Sequence, residues 1–361
     1  MRKVLLDAIK GHELLAKDII SDSGIVIMTA GSPVKIEYAK RLKELGYNYI
    51  CVEDELSAGI NEEDNIEEKI KEECQDIVRD IIERYTYQGY GELEEIKNIA
   101  EGIICDIINS PNVLYSISGI RKKSESTYSH SLNVCAMSVL IALKMKMPKE
   151  RVRHIAIGSL LHDMGYNLVK IDYLDCNYLK SSKEEQKELM KHVVYGYSSV
   201  IKESWLPAAA KDIILCHHER NDGTGFPFHK KGDKIKIGSK IVAICDTFDS
   251  LVYGFMMPKL KVHHALDYIL SQAGIKFDFE AVNCFMELVA AYPNGTIVLT
   301  NKGEKAIVIK QNGKCPTRPV LRMLVDMNGN NYDKWIEKDL KSELSTMIVD
   351  ALETEEYDEI K

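Results

Sequence analysis

Five histidines and two aspartates stand in five short stretches of this chain: His130 in YSHSLNV, the adjacent His162 and Asp163 in LLHDMG, His192 in HVVYG, His217 and His218 at the head of HHERNDGTGFP, and Asp246 in AICDTFD. Imidazole nitrogens and carboxylate oxygens together make the kind of set that holds two hard or borderline cations. Two cations side by side can polarise a phosphoryl oxygen and lower the pKa of a water from about 15.7 toward 7, which is the chemistry of phosphodiester hydrolysis.

Periodicity indicates the elements that must position these groups. A helix over residues 127–147, stopped by Pro148, puts His130, Val134, Met137 and Ile141 on one face, so His130 points toward the core. The next helix begins at Pro148, carries Val152, Ile155, Ala156, Ser159 and Leu160 inward, and reaches His162 and Asp163 where Gly165 favours an end. Successive helical side chains diverge by about 100°, so both can serve one site only at a helix end, or if two metals lie side by side. Asp163 then bridges the metals and His162 stands on one of them. His192 precedes Gly196 by four residues, a spacing that lets another backbone or a ligand come close.

Farther on, a helix ending at Cys216, His217 and His218 gives way to a turn built on Asp222-Gly223 and Gly225. A helix from about Ser239 buries Ile241, Ile244, Cys245, Phe248 and Leu251, with Asp246 and Asp249 beside that stripe. A carboxylate there is costly unless a cation meets it. Asp246 reads as a ligand and Asp249 as a supporting or capping group. His154 reads as a surface or packing residue, and His263-His264 as exposed.

The ordered series resembles the HD-GYP family of metal-dependent phosphodiesterases over roughly residues 95–290: a leading helical His, an HD dyad, a lone His, an HHE..DG.GYP segment and a later Asp. The resemblance implies a mainly α fold, an HD-type helical bundle, with His130, His162, Asp163, His192, His217, His218 and Asp246 as ligands of two divalent transition metals. Iron or manganese is implied by the family, and zinc also suits the ligands. Cyclic di-GMP or a related cyclic dinucleotide is the implied substrate, with Asp163 and Tyr166 at the reacting centre and Tyr166, Asp222, Gly223, Gly225, Phe226 and Pro227 around the ligand. The alternative is a weakly active or inactive sensor or adaptor that binds a nucleotide or a partner protein; an HD-type hydrolase of another nucleotide stands third.

Four positions depart from the family pattern. Phe226 replaces the Tyr of the family name, keeping the ring and losing the hydroxyl. Tyr166 stands where a Lys that contacts substrate phosphate is common, Ser126 where some members carry a Glu for a third metal, and Phe255-Met256-Met257-Pro258 in place of an Arg-Pro-Tyr-Arg-like stretch. Two metals are therefore expected rather than three, with a weaker grip on phosphate.

Composition sets the surroundings. The 361 residues, 45% hydrophobic and 28% charged, suffice for a full core and two or three domains. No stretch approaches the ~18 uninterrupted apolar residues of a membrane span, and the opening apolar run is too short for a secretory signal. Nine cysteines without a C-x-x-C pair read as free thiols in a reducing, cytoplasmic compartment. A net charge of −8 argues against general nucleic-acid binding. The basic run Lys230, Lys231, Lys234, Lys236 and Lys240 is expected to be a solvated loop, with a phosphate-attracting rim as the alternative.

Around the bundle, residues 1–58 read as a small N-terminal α+β regulatory or packing module and 59–94 as a helical connector. The catalytic bundle takes 95–292, a small β-rich extension 293–340, and an acidic helix or tail 341–361. Asn301-Lys302-Gly303 and Asn312-Gly313 signal hairpins in the extension. Whether the chain forms a homodimer or meets a partner signalling protein is open in the sequence.

Overall fold

The computed structural model describes residues 2–20, 26–45, 47, 49–53, 66–88, 92–109, 126–173, 178, 180–254, 256–312 and 315–352. These form two compact units, Met1–Asp64 together with Ala290–Lys361, and Asn65–Val289.

In the first unit, strand β1 (Arg2–Leu5) was not anticipated from the sequence. It pairs antiparallel with β5 (Tyr49–Glu53), which also pairs with β2 (Leu14–Leu15). Strands β3 (Ile19–Ile20) and β4 (Val26–Met28) pair antiparallel, and Asp22-Ser23-Gly24 between them, turn-prone residues in the sequence, lie outside the described residues. Helix α1 (Ile36–Glu44) turns Ala39 and Leu42 onto Val4, Leu15, Ile50 and Val52.

An antiparallel sheet of order β10-β6-β7-β8-β9 completes this unit, from β6 (Ile297–Thr300), β7 (Lys305–Lys310), β8 (Val320–Val325), β9 (Asn331–Asp339) and β10 (Ile348–Leu352). Gly303, at φ 78°, takes the left-handed position in the β6–β7 turn. The helix-or-tail reading of 341–361 needs correction. Residues 348–352 are a strand paired with β6, because Ile348 and Val349 are β-branched and the Asn301 amide and carboxamide engage Met347 just before it.

The second unit is the helical bundle: α2 (Ile66–Glu83), α3 (Ile96–Asn109), α4 (Ser126–Lys144), α5 (Lys149–Leu161), α6 (Lys183–Met190), α7 (His192–Val200), α8 (Ala208–Cys216), α9 (Ile237–Tyr253), α10 (Val262–Ser271) and α11 (Phe279–Met286). Helix α4 packs on α5 and α9 and is flanked by α2, α3 and α11, so residues 129–142 are buried on every face. Helix α9 is buried from Ile241 to Val252. Polar groups on these two central helices must therefore satisfy one another or hold something charged. On α2 it is Val78, Ile81 and Ile82 that turn inward, while Ile77 is 51% exposed. His263, expected to be exposed, is buried on α10, one turn from the buried Leu266, and only His264 faces outward.

Candidate metal and phosphodiester site

The histidines occupy helix interiors and ends that converge on one point. His130 lies on α4, His162 and Asp163 follow the last turn of α5, His192 begins α7, His217 and His218 follow α8, and Asp246 lies on α9. Each of four rings has its Nδ1 committed outward. It lies 2.7 Å from the Ser159 carbonyl for His162, 2.6 Å from the Leu189 carbonyl for His192, 3.1 Å from the Ile213 and Ile214 carbonyls for His217, and 2.6 Å from Asp249 Oδ2 for His130. A nitrogen facing a carbonyl oxygen must carry the proton, so the opposite Nε2 presents a lone pair inward. The inward atoms lie close together, His130 Nε2 3.3 Å from His162 Nε2 and His192 Nε2 3.4 Å from His217 Nε2. Facing lone pairs at that separation call for a positive centre between them. His218 is the exception. Its Nδ1 lies 3.5 Å from Asp246 Oδ2, and its ring stacks on Phe226 at 4.6 Å.

Asp163 divides its two oxygens between these pairs. Oδ2 lies 3.3 Å from His162 Nε2 and 3.6 Å from His130 Nε2, whereas Oδ1 lies 3.5 Å from both His192 Nε2 and His217 Nε2. Oδ1 is fully buried and accepts no hydrogen bond. Asp246 spans the same gap, with Oδ1 3.2 Å from His130 Nε2 and Oδ2 toward His218. Two clusters of ligand atoms within 4.8 Å result, His130-His162-Asp163 and Asp163-His192-His217-His218, and Asp163 belongs to both. These donors fit a pair of divalent cations: nitrogen and oxygen only, an orphaned carboxylate oxygen, and rings locked in the ligating tautomer.

The electrostatics point the same way. Burial penalises the Asp163 and Asp246 carboxylates, yet the surrounding imidazoles outweigh it and hold both below the usual range. Burial also opposes a charge on His130, but Asp246 and Asp249 raise its pKa to about 10. His192, buried and close to His217, is pushed down to about 4. Asp163, Asp246 and Asp249, all buried, thus draw positive charge to the site, a proton on His130 Nε2 or a cation in the proton's place.

Small residues permit this convergence. A Cβ on Gly165, in the 3-10 turn Met164–Leu168, would stand 1.9 Å from the His192 carbonyl oxygen, and Gly196 faces the same crossing. Glu219 fixes the loop beyond His218, its carboxylate accepting from the Phe228 and Lys230 amides at 2.8 Å each. Gly225 lies so close to the backbone at residues 218–220 that a side chain there would collide. Asp222 caps its own turn by accepting from the Thr224 amide and hydroxyl.

Beside the metal-type cluster opens a cavity of about 350 Å³ with Asp163, Asp246, His192 and His218 on its floor. Of the residues expected around a ligand, Tyr166, Gly225 and Phe226 line it, while Asp222, Gly223 and Pro227 instead build the loop. Tyr166 stacks on His192 at 4.1 Å and 12°, and burial with nearby Asp163 and Asp246 pushes its phenol well above the usual range. Met256 and Met257 line the cavity, whereas Phe255 and the side chain of Ser126 lie outside the described residues. Sequence reasoning missed Arg220, Thr247, Tyr268 and Lys276 on the wall; Arg220 could have been noticed as the one cation inside the HHERNDG stretch. The basic run forms no rim here. Lys236 pairs with Asp212 at 3.3 Å, Lys240 with Asp278 at 3.0 Å, and the Lys231 stem covers Gly223.

Comparison with known proteins accords with this geometry. Residues 113–281 match the HD domain profile, and residues 297–360 match the KOW domain associated with HD domain. The chain is 28% identical over 231 residues to the cyclic di-GMP phosphodiesterase PA4108 of Pseudomonas aeruginosa, covering 63% of this chain and 54% of that protein. It is 34% identical over 153 residues to the cyclic di-GMP phosphodiesterase response regulator RpfG of Xanthomonas campestris, covering 41% and 39%. The solved structure of Bd1817, an HDG"Y"P protein from Bdellovibrio bacteriovorus, superposes with a TM-score of 0.51 at 15% identity, covering 78% of this chain and 97% of that one. The helical unit carries an HD domain. The chain spans about half the length, or less, of these curated relatives. Within this HD domain the HD dyad is His162-Asp163, and among the described residues no helix is long and apolar enough to cross a membrane.

Proposed function

We propose that the HD domain is a metal-dependent phosphodiesterase that opens a 3′,5′-phosphodiester of a cyclic dinucleotide of the cyclic di-GMP kind. The observation that carries this reading is the division of Asp163, one oxygen to His130 and His162 and the other to His192 and His217. His130, His162 and Asp246 would hold one cation, His192, His217 and His218 the other, with Asp163 between them. Iron or manganese is the preferred pair, and zinc also suits the donors. Bound there, the cations would supply Lewis acidity to a phosphoryl oxygen and a water of lowered pKa.

The chain's own groups do the rest. Asp163 and Asp246 set the negative field that fixes the cations, and the outward Nδ1 bonds prevent ring rotation. The Tyr166 phenol stays protonated across the physiological range and can donate a hydrogen bond to a phosphate oxygen at the cavity floor. Phe226 and His218 stack to present a flat aromatic wall suited to a base. The names of relatives such as PA4108 and RpfG support the substrate class.

A second reading, a weakly active sensor or adaptor, draws on Met256 and Met257, which give the cavity wall apolar surface within the stretch that stands in place of the family's Arg-Pro-Tyr-Arg-like one. One assay separates the two. Protein reconstituted anaerobically with iron or manganese is incubated with cyclic di-GMP and the products are resolved by chromatography. Metal-dependent appearance of linear dinucleotide or mononucleotide, abolished in Asp163→Ala, supports the enzyme. Binding without product in the fully metallated protein supports the sensor.

A further inference from the structure

A cyclic dinucleotide carries two phosphates, and the metal cluster accounts for only one of them. Among the residues lining the cavity, Arg220 and Lys276 are the two cations, contributed by the loop after α8 and the loop between α10 and α11. Two contacts hold these loops together. The Asn221 amide donates to the Lys276 carbonyl at 2.9 Å, and the Arg220 guanidinium lies 5.3 Å from the centre of the Phe277 ring.

The two cations differ in freedom. Arg220 is braced, its Nη1 donating to the His217 and Glu219 carbonyls and its Nη2 to Thr247 Oγ1. These three bonds leave part of its five-donor fork for a ligand. Lys276 is half-buried, and its ammonium contributes to the field that lowers the Asp222 carboxyl, behind the capping bonds from Thr224. The side chains at 256 and 257, also on the wall, are thioethers without charge.

We propose that Lys276, assisted by Arg220, holds the second, non-scissile phosphate of the substrate, so that the charge missing at 166 and 255–258 is supplied from the α10–α11 loop. This rests on the phosphodiesterase reading for the identity of the ligand. A braced guanidinium gives the anion a fixed partner, and a flexible ammonium can close on it from the facing loop. Specificity for two-phosphate ligands over single phosphodiesters is the consequence.

The test compares wild type with Lys276→Met, which keeps the stem length and removes the charge, and Lys276→Arg, which restores it. Metal content and melting temperature are checked first in each. Affinity for cyclic di-GMP is measured by calorimetry, and kcat/KM is measured for cyclic di-GMP and for bis(p-nitrophenyl) phosphate, which has one phosphodiester. A lost charge-assisted hydrogen bond predicts that Lys276→Met weakens cyclic di-GMP binding about 10- to 100-fold, and lowers the ratio of the two kcat/KM values by a like factor. Lys276→Arg should recover most of it. Unchanged affinity in a folded, metallated Lys276→Met, or an equal loss on both substrates, overturns the assignment. If wild type binds but hydrolyses neither substrate, the phosphodiesterase reading falls, while the Lys276 assignment still stands or falls on the calorimetry. No binding by wild type overturns the assignment.

Discussion

His130 Nδ1 and Asp249 Oδ2 are 2.6 Å apart in the buried seam between α4 and α9, and the other oxygen of Asp249 accepts from Asn133 Nδ2 at 2.9 Å. Asp249 therefore sets the orientation and basicity of a ring whose other nitrogen faces the metal cluster. Loss of such a partner typically costs about 10- to 100-fold in metal affinity. Asp249→Asn, which can still accept a hydrogen bond but lacks the charge, should fall at the low end of that range and Asp249→Ala at the high end. Competition against a chromophoric chelator measures both, and affinities equal to wild type would show that Asp249 has no part in the site.

The shared carboxylate predicts a stoichiometry. Metal-replete protein prepared without oxygen should hold close to two transition-metal ions per chain. Asp163→Ala should lose most of both, because its two oxygens face both clusters. His192→Ala removes a ligand from one cluster only and should leave about one ion bound. Elemental analysis of the three proteins after gel filtration gives the numbers; equal metal loss in His192→Ala and Asp163→Ala would mean that the two clusters do not bind independently.

Much of this site was legible in the sequence because ligation needs particular residue types at fixed helical offsets. His130 and its apolar stripe could be placed on a buried face, and the divergence of His162 and Asp163 required a helix end. Asp249 could be read as a supporting group from its i+3 spacing to Asp246 on α9. What could not be read depends on contacts distant in sequence. Lys276 reaches the cavity only because its carbonyl pairs with the Asn221 amide, and nothing near Lys276 in sequence marks it. The inward turn of Val78 rather than Ile77 follows from how α2 is rotated against α4, and isoleucines at 70, 77, 81 and 82 do not by themselves fix that rotation. Likewise β10 forms because β6 offers an edge, so its acidic surroundings misled a local reading.

Two glycines separate steric need from mere tolerance. Gly165→Ala would drive a methyl against the His192 carbonyl at the crossing of the 3-10 turn and α7. The backbone must shift at a metal-cluster residue, so a loss of several kcal/mol is expected, on the scale of about 4 kcal/mol that marks severe core disruption. Gly102→Ala, in α3 with no atom within 4 Å of the added carbon, should instead stabilise by about 0.5–1 kcal/mol. Chemical denaturation of both variants, with metals bound, compares them directly. A neutral Gly165→Ala would mean that the turn does not pack on α7 as described.

Tyr166 offers the sharpest test of the chemistry. Its ring is stacked between His192, at 4.1 Å, and Tyr173, at 5.1 Å, and the phenol stays neutral to well above the ordinary tyrosine pKa. Tyr166→Phe keeps the stack and removes only the hydroxyl, so metal content and folding should match wild type. If the hydroxyl donates to phosphate in the transition state, kcat for cyclic di-GMP falls about 10²-fold, the low end for a positioned proton or hydrogen-bond donor, while KM changes less than about twofold. Tyr166→Lys gives the opposite split. The ammonium adds a cation near the phosphate and lowers KM, but the lost stack loosens His192, and metal content must be measured alongside. An unchanged kcat in a fully metallated Tyr166→Phe removes the phenol from the mechanism and leaves the metal-bearing carboxylates and imidazoles to account for whatever hydrolysis the domain performs.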